Sequence, residues 1–234
     1  MIRKILNTEI LGLQLVHDAW LIFRKDVRQE FKTRYALNAI LLFALVTLVA
    51  VSFSIGIFNT GSEIKSALLW IIIFFSAMSG LSHIFVREEE KHTADTLKLV
   101  AQPTSIFLGK FIFNLFLLYV LEIITVPLYF AVMNFGVQGI ITFLCVLFLG
   151  SFGLSAGATM IAAIISKASV KGALFAVLSF PILLPVIITG INGTKTAVNN
   201  DAIVEASGDL QMLFAYSVVI LTAAILLFDF VWNE

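Results

Sequence analysis

Apolar residues run through this chain in blocks too long for strands or for the helices of an ordinary soluble domain. A bilayer-spanning helix needs about 20 mostly apolar residues. Six stretches reach that length: Asn38 to Phe58, Ser66 to Val86, Ile106 to Met133, Gly139 to Ile165, Gly172 to Gly190 and Met212 to Val231. The third is overlong, so tilt or a break is expected there. Pro127 supplies a reason for a break, because proline lacks the N–H of the helical ladder. Pro181 and Pro185, in SFPILLP, are expected to break or kink the fifth span, as hinges or as fixed shape.

Polar positions define the remainder. Residues 1–37 cannot span and form a first, interfacial segment; residues 38–234 form the six-span domain. Within the first segment Trp20, Phe23, Val27, Phe31 and Tyr35 recur at steps of three and four, which places them on one helical face. Arg24, Lys25, Arg28, Lys32 and Arg34 occupy much of the rest. An aromatic face opposed by a basic one predicts a helix lying flat at the membrane surface. A solvated amphipathic helix packed on a soluble partner is the alternative.

Composition strengthens this picture. Hydrophobic residues make up 60% of the chain and charged residues 13%, about half the charge of a soluble domain. The net charge of zero hides an asymmetry. Thirteen Lys and Arg fall in the N-terminal segment, the loop after span two and the loop after span four; only Lys65 and Lys195 fall on the other side. The positive-inside rule then puts both termini in the cytoplasm, in an all-α protein of six transmembrane helices. The single cysteine, Cys145, excludes a disulfide within the chain and reads as a packing residue. No cleavable leader is expected, since the first run long enough to span follows a basic segment.

The segment Arg87 to Pro103 (REEEKHTADTLKLVAQP) is the longest polar break in the middle of the chain. Ala94, Leu97 and Ala101 share a helical face with Val100 beside it. Opposite charges at Glu88/Lys91, Lys91/Asp95 and Asp95/Lys98 support a short helix. Pro103 is expected to stop it, and Thr104 or Ser105 to cap the next helix. The outer segment 191–210 is long enough for short helices of its own.

Few residues invite chemistry. Glu122 is a carboxylate at membrane depth, where such groups face a protein interior or a cavity. It reads as a gate, proton site or substrate contact, or as an interhelical hydrogen bond. Gly150, Gly153 and Gly157, with Ser151, Ser155, Ala156 and Ala158, form a small-residue face suited to close helix packing, within the chain or between two copies. His17, His83 and His92 have no ligand-pair spacing, so no metal or haem ligand set is expected. No ATP-binding loop is present: the nearest string, GINGTKT from Gly190, departs from GxxxxGK[ST]. The chain therefore reads as a non-enzymatic membrane subunit.

The basic-aromatic N-terminal helix, the six spans and the acidic segment ending in proline resemble the permeases of the ABC-2 exporter class, of type V exporter-like fold. Their inner loop reads E-x-E-x-G-T-x-E-x-L-x-x-x-P; Glu88, Glu90, Thr93, Asp95, Leu97 and Pro103 resemble it, with His92 where glycine is usual, Asp95 where glutamate is usual and Pro103 two positions later than its proline. A narrower resemblance covers nearly the whole chain. FRKD at 23–26, RYALN at 34–38, FLGK at 107–110 with Asn114, Glu122 with Pro127, and FPILLP at 180–185 are similar to CcmB, the permease family of the cytochrome c maturation transporter. That resemblance implies the inner membrane of a bacterium and two permease copies. It implies a separate CcmA-like ATPase holding ATP, CcmC-like and CcmD-like membrane subunits, and a CcmE-like haem chaperone. ATP turnover would drive haem export or release of the loaded chaperone. With no outer-side histidine and no tryptophan-rich segment, haem is expected on partner subunits, and no cofactor on this chain. Membrane lipid is a further expected partner, nucleic acid is not. The resemblance makes Glu88, Glu89, Glu90, Thr93, Asp95, Leu97 and Val100 the expected ATPase-coupling residues. Glu122, Pro127, Pro181 and Pro185 are intramembrane candidates, and Trp20, Phe23, Arg24, Lys25 and Arg28 the interfacial set. An ABC-2 permease for lipid, glycan or drug, or an ion-coupled transporter using Glu122, are the competing readings.

Overall fold

Backbone polar groups in a bilayer must be satisfied within their own segment, so apolar runs of this length become helices. The computed structural model describes residues 2–55, 61–166, 171–200 and 203–233, with side chains from Gly12 onward apart from those of 55, 171–173, 176 and 233. Among these, every regular element is helical: α1 (Ile2–Thr33), α2 (Tyr35–Ile55), α3 (Ser62–Gly80), α4 (His83–Glu90), α5 (Ala94–Val100), α6 (Pro103–Met133), α7 (Ile140–Ile165), α8 (Lys171–Asn199) and α9 (Ser207–Asn233), with one 3-10 turn at Ile203–Ala206. Six helical stretches are long and apolar enough to cross a membrane. The protein is an all-α, six-span membrane protein, as the sequence predicts. Phe58, the expected end of the first span, lies outside the described residues, as do Lys167 and Asp201 and the side chains of Arg3, Lys4 and Lys171.

Several boundaries move for physical reasons. The second span runs on from α3 through a turn at Leu81 and Ser82 into α4. At the start of α6 the cap position belongs to Gln102 and Pro103 is the first helical residue. Neither Thr104 nor Ser105 caps it; proline suits that place because its missing N–H would be unpaired there anyway. The break expected at Pro127 does not occur: α6 is continuous over 31 residues. Pro181 and Pro185 likewise lie inside an unbroken α8. In hydrocarbon an opened helix has no water to satisfy it, so the chain stays helical through each proline. The Tyr216 hydroxyl donates to the Ile182 carbonyl, in the turn preceding Pro185. The outer segment 191–210 begins as α8 itself, which continues to Asn199, and ends in the 3-10 turn and the first residues of α9.

The centre of the bundle is α7, packed against α6, α8, α9 and α4. Its buried small residues let neighbours approach closely. A Cβ on Gly153 would lie 2.8 Å from the Ser217 hydroxyl, and one on Gly157 would lie 2.5 Å from Leu183. These glycines serve packing within the chain. Trp70, fully buried in α3, fills the space that Gly150 and Gly190 leave open. Its indole N–H donates to Thr194 at 2.8 Å. Gly190 is therefore a packing residue and not a helix end.

Two ends of the bundle differ in charge. Lys65 and Lys195 share one end, where Lys65 donates to the Asn134 carbonyl at 3.3 Å and Lys195 pairs with Glu63. Lys25, Arg87 and Lys110 gather at the other.

A Cβ on Gly150 would sit 2.1 Å from the Trp70 ring. Overpacking of this kind costs about 1–3 kcal/mol. Gly150→Ala should lower the thermal unfolding midpoint in detergent, while Gly136→Ala, which meets open space, should lower it far less.

Candidate coupling interface

The site at the charged end is assembled from three elements that meet at Lys110. Gly109 comes first: a Cβ there would be 2.7 Å from the Ala19 carbonyl and 2.8 Å from Ile22. Its absence lets α1 lie directly on α6. The α1 face turned inward is Ala19, Ile22, Asp26 and Glu30, all buried. Lys110, the residue after Gly109, is fully enclosed. Its ammonium lies 3.1 Å from Asp26 Oδ2, 2.6 Å from Glu88 Oε1 and 3.3 Å from the Ile84 carbonyl. Its three donors thus have three acceptors, Asp26 taking its hydrogen bond on Oδ1 at 3.5 Å.

Glu88 is the hub on the α4 side. Its Oε1 also accepts from Lys25 at 2.5 Å, and its Oε2 accepts from the Thr93 hydroxyl at 2.5 Å. Lys25 reaches Asp26 as well, at 3.4 Å. Two cations and two carboxylates therefore balance. A second tie runs beside them: Glu30 accepts from the Leu37 backbone N–H at 2.9 Å and lies 3.6 Å from Arg87. The α1–α2 break at Arg34, which has φ 52°, is held in register by that bond.

The end of α4 has a defined stop. The Thr93 N–H bonds the Glu88 carbonyl and the His92 N–H bonds the Glu89 carbonyl, with His92 left-handed at φ 53°. This is the Schellman arrangement, whose left-handed position is usually glycine. The departure noted in the sequence, histidine in place of glycine, thus falls on the residue that adopts the glycine conformation. α5 then turns Ala94 fully inward, with Leu97 half-buried behind it.

The expected coupling residues divide. Glu88 is buried in the ion cluster, so it is not a surface contact. Glu89 and Leu97 are half-buried, while Glu90, Thr93, Asp95 and Val100 are exposed. Leu99 is 88% exposed and Val100 77%, an outward apolar pair of which the sequence reading named only Val100. The inward face of α5 was legible from Ala94, Leu97 and Ala101. A cleft of about 320 Å³ runs between α1 and α5, past Lys25, Arg87, Lys91, Thr96 and Val100. Lys98 lies 5.5 Å above the Trp232 ring, which stacks on Phe228 and meets Phe85 edge-on. The coupling segment therefore touches the far end of α9.

The interfacial set is also redistributed. Trp20 and Phe31 stay exposed, and so do Arg24, Lys25 and Arg28. Phe23 packs edge-on against Phe116, and Val27 is half-buried. Tyr35 belongs to α2, beyond the break, where it meets His83 edge-on. The expected aromatic stripe is thus split. What lies against α6 is the adjacent face carrying Asp26 and Glu30, which apolar periodicity cannot identify.

Among the described residues no group of three or more His, Cys, Asp or Glu side chains could hold a metal ion. Glu122 lies far along α6, buried, with the Ser151 hydroxyl donating to its Oε1. Asn114 donates to Thr159 at 3.0 Å. Neither belongs to the charged site.

A family model described as CcmB protein matches residues 17–230. No curated protein matches the chain.

Removing one partner of a buried ion pair costs about 3–5 kcal/mol, because the other charge is left uncompensated. Lys110→Ala should therefore unfold at markedly lower temperature in detergent, and Lys110→Met with Asp26→Asn should recover part of the loss. A left-handed non-glycine residue costs roughly 1–2 kcal/mol, offset by roughly 0.5–1 kcal/mol of extra chain entropy that glycine loses on folding. His92→Gly should be neutral to about 1 kcal/mol stabilising in the same assay.

Proposed function

We propose, from the premise that this chain belongs to the CcmB family, that it couples ATP hydrolysis on a separate chain to haem export or to release of a haem-loaded chaperone. Membership makes it a membrane permease subunit of the cytochrome c maturation ABC transporter. The observation that carries the reading is the match over residues 17–230 in a chain that has six spanning helices.

In this reading the end bearing α1, α4 and α5 faces the bacterial cytoplasm, with both termini, and the protein sits in the inner membrane. The thirteen-to-two distribution of Lys and Arg supports that orientation. Two copies of the chain assemble with two CcmA-like ATPase subunits, alongside CcmC-like and CcmD-like membrane subunits and a CcmE-like chaperone. Haem is held by those partners.

The ATPase docks on the outward side of α5 and the end of α4, at Glu90, Asp95, Leu99 and Val100. Leu97 and Glu89 support that surface from behind, Thr93 ties it to Glu88, and Glu88 acts inside. When the partner moves, α4 and α5 move with it. Glu88 passes the displacement to Lys110 of α6 and, through Lys25 and Asp26, to α1. Lys98 on Trp232 passes it to α9. The exposed Trp20 and Phe31, with Arg24 and Arg28 near them, keep α1 at the membrane surface, so that it slides and does not leave.

Deletion of the gene should abolish c-type cytochromes in its host, with plasmid-borne wild type restoring them; normal cytochrome c content in the deletion strain would sink the reading. Glu90→Lys with Asp95→Lys should reduce the ATPase recovered with this chain in mild detergent at least tenfold, at an unchanged unfolding temperature. Undiminished recovery would remove this surface as the docking site.

A further inference from the structure

We infer that the groove beside Glu122 is a binding site for a bilayer-dissolved hydrophobic molecule ending in a hydrogen-bond donor, a hydroxyl or an amine. The groove opens between α6 and α7 and has a volume of about 990 Å³. That is the size of a small-molecule site, which is mostly apolar with a few placed polar groups. Tyr119, Ile123, Leu144, Cys145 and Phe148 line it with Glu122.

Glu122 and Ser151 sit at one depth. At a rise of 1.5 Å per residue each is about 16 Å from the end where α6 and α7 join, which is near the middle of a hydrocarbon core of about 30 Å. A phospholipid headgroup stays at the surface and does not reach that depth. The occupant must arrive from within the bilayer and bring its own polar end.

The chemistry of that end follows from the lining. Tyr119 stacks on Phe148 and spends its hydroxyl donor on the Phe148 carbonyl at 3.4 Å. Glu122 receives the Ser151 hydroxyl on one oxygen and is 7% exposed, so the carboxyl group is the polar feature a ligand meets. Hydrocarbon penalises an ionised end on the occupant, so an amphiphile ending in a carboxylate is disfavoured there, whereas a hydroxyl or an amine can donate to the carboxyl oxygens. Ile123 at 73% and Leu144 at 56% exposure form the open lip, on the lipid-facing side of both helices.

The test uses the full chain in lipid nanodiscs and three photoactivatable probes of one chain length, ending in an amine, an alcohol or a carboxylic acid. The amine and alcohol probes should label peptides 119–127 or 141–149 at least fivefold above the acid probe. Glu122→Gln should remove the preference for the amine. Leu144→Trp, which fills the groove without touching the carboxyl group, should suppress all labelling there. Equal labelling by the three probes, or an amine preference that survives Glu122→Gln, would overturn the proposal, since the groove would then be only greasy surface. Labelling that vanishes when partner membrane subunits co-purify would also overturn it, in favour of a partner helix as the occupant. The readout involves no ATPase, so it fails or succeeds separately from the coupling role.

Discussion

Burying a lysine ammonium completely is the costliest act in this fold, and much of the charged end is arranged to compensate it. The effective desolvation penalty is several kcal/mol per ion, recovered only with close partners and saturated hydrogen bonding. Lys110 has both: two carboxylates and a carbonyl around one ammonium. Those acceptors come from α1 and α4, which also bury Ala19, Ile22, Ile84 and Phe85. The gap at Gly109 is what allows α1 to bring Asp26 that close. Packing and charge balance thus specify each other, and a buried ion cluster of this kind fixes one arrangement of three helices more than it adds net stability.

The same cluster explains what the sequence displayed and what it concealed. Span number and type were legible because apolar run length is a direct consequence of bilayer thickness. Helix ends were less so. Pro127, Pro181 and Pro185 are strong breakers in water, yet each lies within a helix, because hydrocarbon offers an opened turn nothing better. Gly190 resembles a terminator but makes room for Trp70. The inward face of α1 was concealed most deeply. Periodicity assigns apolar residues inward, whereas Asp26 and Glu30 face inward here and Trp20 and Phe31 outward. The signal was present as two strings, FRKD and FLGK, 84 positions apart from Asp26 to Lys110. Nothing in one chain's sequence says that an acid in the first must meet a base in the second.

From Lys110 onward, α6 is tied to its antiparallel neighbour α7 by a series of polar contacts. The Phe111 carbonyl accepts from Ser155, Asn114 donates to Thr159, and Glu122 accepts from Ser151. Each rung joins groups that hydrocarbon would leave unpaired, so each resists separation of the two helices. The pair therefore behaves as one unit, with Lys110 at its charged end. α2 differs: it is mostly apolar with Leu42, Val46 and Phe53 exposed, and among the described residues Ser52 and Ser54 bond only their own helix.

Along α6 the surroundings change from one end of these contacts to the other. Near Lys110 the surroundings of α6 are closed, and every donor of the ammonium is used. At Glu122 the rung borders an open groove. Between the ion cluster and that carboxyl group α6 is an unbroken stretch of helix with no proline in it. The α6–α7 ladder also sets the spacing of the groove, because its two walls are those same helices. Whatever moves the cluster therefore moves both walls together or shears one past the other. Only the second changes the shape of the groove, and it does so at Glu122–Ser151 and at the Tyr119 hydroxyl's bond to the Phe148 carbonyl, the contacts that border its opening.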